Sequence, residues 1–222
     1  GKLPPMAFLK RMLGTPVRIG TLILAACAVP PPAGWAAPKD PYPLPASFKV
    51  ERSTPRLLIR TDLKEKELDH FVRFMESFLD YFGKEWFPFK QARPLRAYVF
   101  ATDAGYKEYC KSLGAAAPDP PYGFYCGIDD NLLIVNHSTG IGTTTHELIH
   151  HIVANSFREC PQWVNEGFAM FFEKFIGHLD KEGRGVFSVG YFSNWRFPVA
   201  LEHVDKVSLR DVVAYREPCS VR

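Results

Sequence analysis

Residues 143–151 read TTTHELIHH. On an α-helix, side chains four positions apart lie about one turn up the same face. His146 and His150 therefore present two imidazoles to one point. Glu147 projects about 100° around the axis from His146, close enough to act on a water at that point without binding an ion itself. Two imidazoles for a divalent cation and a neighbouring carboxylate to take a proton from water are the parts that metal-assisted hydrolysis needs. Catalytic zinc has three protein ligands and one open position, so a third donor is required. Residues 161–173 read PQWVNEGFAMFFE. Pro161 suits a helix start, and Glu166 then falls in the first turns of that helix. The short connection over residues 155–160 predicts a helical hairpin that brings Glu166 back across to the histidines. The expected centre is one Zn²⁺ per chain on His146, His150 and Glu166, with Glu147 as general base.

HELIH followed by WVNEGFA resembles the gluzincin clan of zinc peptidases, whose best-known members are aminopeptidase-N-like enzymes. The matching positions are His146, Glu147 and His150, then Trp163, Asn165, Glu166, Gly167, Phe168 and Ala169. More broadly, a small exported body with a hairpin ahead of the metal helix is similar to the peptidase-MA-like bacterial proteins. The resemblance implies a zincin-like fold, Glu166 as third ligand, Glu147 polarising the catalytic water, and a peptide or protein substrate. It also implies that the strand just before the metal helix, Leu132, Leu133, Ile134 and Val135, forms the edge along which an extended peptide lies.

The departures are specific. The GxMEN segment that binds a free amino terminus in aminopeptidase-N-like enzymes has no counterpart, since the corresponding region reads GFYCGIDDNLLIVN. Endopeptidase and exopeptidase readings therefore both stand. The tyrosine that stabilises the oxyanion has no motif match, leaving Tyr191 and Tyr215 as candidates. Thermolysin-like members place an Asp four residues after the ligand Glu, whereas Met170 stands there in this chain, so the partner of the histidine's other ring nitrogen is open. These gaps define the alternative function, a catalytically inert zinc-bearing envelope protein that binds peptide or cell wall. His151 is expected beside the centre or at the surface and not as a ligand, His137 in a solvated loop, and Trp163 in packing.

The elements that must position these residues are legible around them. Asp62 to about Phe82 carries Leu68, Phe71, Val72, Phe74, Met75, Phe78, Leu79 and Phe82 at helical spacing, which predicts a long amphipathic helix with Asp62 as its cap. FKVE and RLLIRT have strand composition around a turn at Ser53–Thr54–Pro55. Leu95 to Phe100 reads as a buried strand, followed by a short helix capped by Thr102 or Asp103 and ending near Gly114. Residues 124–135 read as a hairpin with an acidic turn. Thr144 or Thr145 is the expected cap of the metal helix. The predicted class is α+β: a small, mostly antiparallel sheet packed on the metal helix, with a long N-terminal helix and a second helix supplying Glu166.

The chain has 222 residues, 46% of them apolar, which suffices for one cored domain. Its net charge of +3 comes from Lys2, Lys10, Arg11 and Arg18, and the remainder is near neutral, so no nucleic-acid face is expected. Those basic residues precede or enter an apolar run, Ile19 to Val29, too short to span a bilayer, which reads as an export signal. Residues 1–37 are assigned to it, with cleavage either before Cys27, in a bacterial lipobox Leu24–Ala25–Ala26–Cys27, or after Ala36. The first reading gives a membrane tether through lipidated Cys27. Localisation is then the periplasm, the outer membrane as a lipoprotein, or the exterior. Residues 38–46 form a proline-rich linker, and residues 47–222 the metallopeptidase domain. SLRDVVAY, near the end, reads as another element beginning where clan members continue with a helical segment. In an oxidising compartment Cys110, Cys126, Cys160 and Cys219 allow two disulfides, with Cys110–Cys126 the first choice because the loop between them is short.

Overall fold

The computed structural model describes residues 42–114, 122–157, 159–173, 176–188, 198, 201–202 and 205–214. The chain divides into Gly1–Pro43 and Leu44–Arg222, and the fold is that of the second unit. The signal segment with Cys27, the linker as far as residue 41, Tyr191, Tyr215 and Cys219 lie outside the described residues.

Strands β1 (Val50–Ser53) and β2 (Leu57–Thr61) form an antiparallel hairpin. Its turn is fastened by Thr54, whose hydroxyl accepts the backbone N–H groups of Arg56 and Leu57 at 3.2 and 3.0 Å. Helix α1 (Glu65–Glu85) then crosses to β3 (Leu95–Phe100). The apolar stripe predicted for this helix is its buried face, with Val72 only partly buried, but the helix starts two residues late for an Asp62 cap. Glu67 instead reaches back to the Lys64 N–H at 3.2 Å, while Asp62 accepts the Ala101 N–H at 2.7 Å and ties the ends of β2 and β3 together. Helix α2 (Asp103–Leu113) is capped by Thr102 and stops at Gly114, whose φ of 62° is the left-handed conformation that favours glycine. Strand β4 (Gly123–Tyr125), the single helical turn α3 (Gly127–Asp130) and β5 (Leu132–Asn136) make the second hairpin.

The five strands form one sheet in the order β1-β2-β3-β5-β4. It is mixed, and not mostly antiparallel as its short strands suggest. The β2–β3 and β3–β5 pairs are parallel and only the outer pairs antiparallel. A parallel neighbour needs a crossover of a dozen or so residues, and α1 and α2 supply those crossovers. β5 therefore lies inside the sheet, and Leu132, Leu133, Ile134 and Val135 are fully buried. The edge on that side is β4, which corrects the expected substrate edge. Four consecutive apolar residues are the mark of a strand covered on both faces.

One face of the sheet, through Ala97, Val99, Tyr125, Leu133 and Val135, joins the main core with α1, α4 (Ile141–Ser156), which carries His146 and His150, and α5 (Gln162–Glu173). The opposite face presents Tyr98 and Phe100 to Phe48 and to Tyr106 and Tyr109 of α2. A hairpin that hydrophobic patterning did not indicate, β6 (Ile176–Leu179) with β7 (Gly185–Ser188), lays Phe187 against Phe74, Phe78 and Tyr81 of α1. Ser208 opens α6 (Leu209–Ala214), its hydroxyl 2.6 Å from the Asp211 carboxylate, where SLRDVVAY predicted an element. Cys110, Cys126 and Cys160 are thiols, so the Cys110–Cys126 bridge is not formed. Among the described residues no helix is long and apolar enough to cross a membrane.

Phe78 is fully buried where α1, α5 and β7 meet, with Phe172 at 5.9 Å and Phe187 at 6.2 Å between ring centres. Phe78→Ala is expected to lower the free energy of unfolding by about 3–5 kcal/mol in urea titration, and a loss below about 1 kcal/mol would contradict this packing.

Candidate metal centre

Helix α4 begins at Ile141, directly after Gly140 with φ 99°, and not just before His146. Thr144 and Thr145 are thus inside the helix and not its cap. Thr144 is buried, and the Thr145 hydroxyl donates to the carbonyls of Gly142 at 2.9 Å and Phe172 at 3.1 Å. The second of these bonds fastens α4 to the last turn of α5. Next to it, a Cβ on Gly142 would come 2.7 Å from the Glu173 carbonyl oxygen, so only glycine allows this approach. Pro161 stands just before α5 and its carbonyl accepts from Val164 and Asn165 at 3.0 and 3.1 Å. The two helices form the expected hairpin.

With the helices so held, Glu166 faces both imidazoles. Its two carboxylate oxygens lie 3.7 Å from His146 Nε2 and 3.7 Å from His150 Nε2. One donor atom from each of the three residues lies within 4.8 Å of the others, the arrangement of a metal-binding triad. For comparison, tetrahedral donors about 2.0–2.2 Å from an ion stand roughly 3.3–3.6 Å apart. The histidines are largely buried, at 13% and 12% side-chain exposure, while Glu166 is 45% exposed. The site therefore has a dry wall and a wet one.

The other ring nitrogens settle the tautomers. His150 Nδ1 is 2.9 Å from Asn165 Oδ1, and His146 Nδ1 is 3.3 Å from Glu173 Oε2. An amide oxygen and a carboxylate can only accept, so each Nδ1 carries a proton, and in the neutral form of either ring Nε2 is the atom with a lone pair to offer. Burial holds His150 below its ordinary pKa against the opposing pull of Asn165 and Glu166, which favours the neutral, ligating form. Neither Asn165 nor Glu173 was assigned a role from sequence. Glu173 follows Glu166 by seven residues, two helical turns on one face, and that periodicity is the signal that could have found it.

Glu147 is nearly enclosed, and its Oε1 lies 4.0 Å from His146 Nε2. Burial first, then the charges of Glu166 and Glu173, raise its pKa well above the ordinary range, opposed by the backbone N–H of Tyr125. That N–H places the edge strand beside the carboxylate. The Tyr125 side chain meets the same helix one turn on, its hydroxyl 3.4 Å from His151 Nδ1 and its ring edge-on to His151 at 5.6 Å. His151 is fully buried and faces Tyr125 and Asn155, not the metal triad. His137 is half-buried with its ring edge-on to Phe71 at 5.4 Å, so it is not the solvated loop residue expected from sequence.

No family model matches the chain, and no match to it is found among curated proteins or among solved structures.

Burial lowers the His151 pKa to about 4. An unfolded histidine titrates near 6.5, so between those values the unfolded chain binds the extra proton and stability rises with pH. In metal-free protein this one group removes about 3 kcal/mol as the pH falls from 6.5 to 4. Denaturant titrations across that range are expected to show a slope smaller by about 1.4 kcal/mol per pH unit in His151→Gln than in wild type, and equal slopes would refute the assignment.

Proposed function

We propose that the chain is an exported zinc-dependent peptidase with a zincin-like site of the gluzincin type. The observation that carries this reading is the convergence of His146 Nε2, His150 Nε2 and Glu166, with both Nδ1 atoms already committed to Glu173 and Asn165. The donor set suits zinc in particular: two neutral imidazoles and one carboxylate leave one position for solvent or substrate. A zinc ion held there supplies Lewis acidity, to a water and to the carbonyl under attack.

The chain's own residues do the rest. Glu147 takes a proton from the attacking water as its oxygen bonds to the carbonyl carbon. It then delivers that proton to the amide nitrogen as the carbon–nitrogen bond breaks. For this cycle it must start as a carboxylate. The enclosed position that raises its pKa in the metal-free chain is countered by an adjacent dication, which favours the ionised form. Glu166 neutralises half of the ion's charge, and its exposed side leaves the substrate a way in.

The substrate side of the site follows from the sheet edge. Cys126 N–H bonds the Leu132 carbonyl, and Asn136 N–H the Tyr122 carbonyl. By antiparallel alternation the backbone groups of Gly123 and Tyr125 then point away from β5. The Tyr125 N–H is taken by Glu147, so an extended peptide lying along β4 would meet the Gly123 groups and the Tyr125 carbonyl next to that carboxylate. Backbone pairing of this kind recognises peptide without reading its side chains.

Glu147→Gln removes the base and leaves the triad intact. Zinc-loaded wild type is expected to cleave members of a peptide library, and Glu147→Gln to keep stoichiometric zinc while losing about 100- to 10,000-fold in rate. Zinc bound with no cleavage by either protein would refute the peptidase and favour an inert zinc-bearing envelope protein.

A further inference from the structure

We propose that α5 carries a side-chain subsite of the metal centre: a notch over Gly167, between Trp163 and Phe171, that takes a bulky apolar residue of a peptide beside its scissile bond. The proposal rests on the peptidase reading above and names the substrate class that this site selects.

Gly167 lies in the interior of α5, directly after Glu166. Glycine weakens a helix interior relative to alanine, so its presence there calls for a reason. At Gly142 the reason is internal, because the Glu173 carbonyl stands where a side chain would be. At Gly167 the chain supplies no such reason. Its φ is not positive, and a Cβ built on it would meet nothing within 4 Å. The residue is exposed. The fold would accept a side chain at this position, and the glycine keeps open a space that the chain itself does not fill.

That space adjoins the ligand set. Successive helix residues turn by about 100°. On one side of Glu166 stands Asn165, 4% exposed and bonded to His150. On the other side stands Gly167, so the open flank of the Glu166 carboxylate is the flank that carries the notch. A peptide bond presented to an ion on Glu166 brings a neighbouring side chain within reach of the next residue of the helix.

The walls are aromatic. Trp163 and Phe171, four positions before and after Gly167, lie about one turn to either side of it on the same face. Trp163 is half-buried. Phe171 is 43% exposed and packs edge-on against Trp86 at 5.6 Å, which supports its ring without covering it. Two aromatic side chains around bare backbone favour an apolar occupant and offer a charged one no partner.

The test profiles cleavage of a peptide mixture by the zinc-loaded full chain. Bulky apolar residues are expected to be enriched at one of the two positions flanking the cut. A peptide with leucine at that position is then compared with its glycine counterpart. Gly167→Leu fills the notch with a better helix former, so its urea midpoint is expected at or above that of wild type, with zinc affinity within about twofold. Its kcat/KM for the leucine peptide is expected to fall about 10- to 100-fold, chiefly through KM, and for the glycine peptide by less than about threefold. Equal losses on the two peptides, or a mixture cleaved without apolar preference, would overturn the subsite and leave the peptidase reading standing. If zinc-loaded wild type cleaves nothing in the mixture, the peptidase reading fails and the subsite fails with it.

Discussion

The close approach of α4 and α5 at Gly142 constrains everything that the site does. Three donors from two helices can meet at one point only when the helix backbones are held at a fixed separation and level. Here a missing side chain sets the separation, with the Glu173 carbonyl in its place, and the Thr145 hydroxyl sets the level through the Phe172 carbonyl. Neither residue is itself a member of the triad. Both decide whether Glu166 stands 3.7 Å from each histidine or slides past them. The aromatic cluster of Phe78, Phe82, Trp86 and Phe172 presses α5 onto α1 from behind, so the hairpin is clamped and not merely hinged.

A second feature follows from the angular spacing along α4. His146 and His150 form one stripe and Glu147 and His151 the neighbouring one. The first stripe faces α5 and the second faces the edge strand through Tyr125. One helix thus relates the histidine pair to the edge strand β4. The buried contacts of Tyr125 with His151 and with Asn131, at 3.4 and 3.3 Å, help hold that strand beside Glu147.

The residues of the candidate metal centre are the most legible from sequence, because helix geometry alone turns HELIH into two convergent imidazoles and an acidic group nearby. Glu166 needed only the further assumption of a helical hairpin. The long amphipathic helix and the strand at Leu95 were readable for the same reason, since their apolar residues recur with the period of a single element. What stayed hidden depends on pairing between distant segments. The strand Leu132 to Val135 looked like an edge by resemblance, yet its unbroken apolar run belongs between β3 and β4. The parallel pairs follow from where crossovers lie, which local alternation does not record. Met170 stands where the family's aspartate would, and the carboxylate found near His146 Nδ1 is instead Glu173, about one turn further on, at 3.3 Å. The hairpin around Asp180 is held by that carboxylate accepting from the Glu182 and Arg184 backbone, a local turn device with little apolar pattern to announce it.

The central claim is that His146, His150 and Glu166 share one divalent ion with a place left for solvent. X-ray absorption at the zinc edge on zinc-loaded protein tests it most directly. The account predicts two imidazole nitrogens and oxygen donors at about 2.0–2.2 Å, with no sulfur in the coordination sphere. A zinc–sulfur distance near 2.3 Å, or zinc that dialyses away completely, would contradict it.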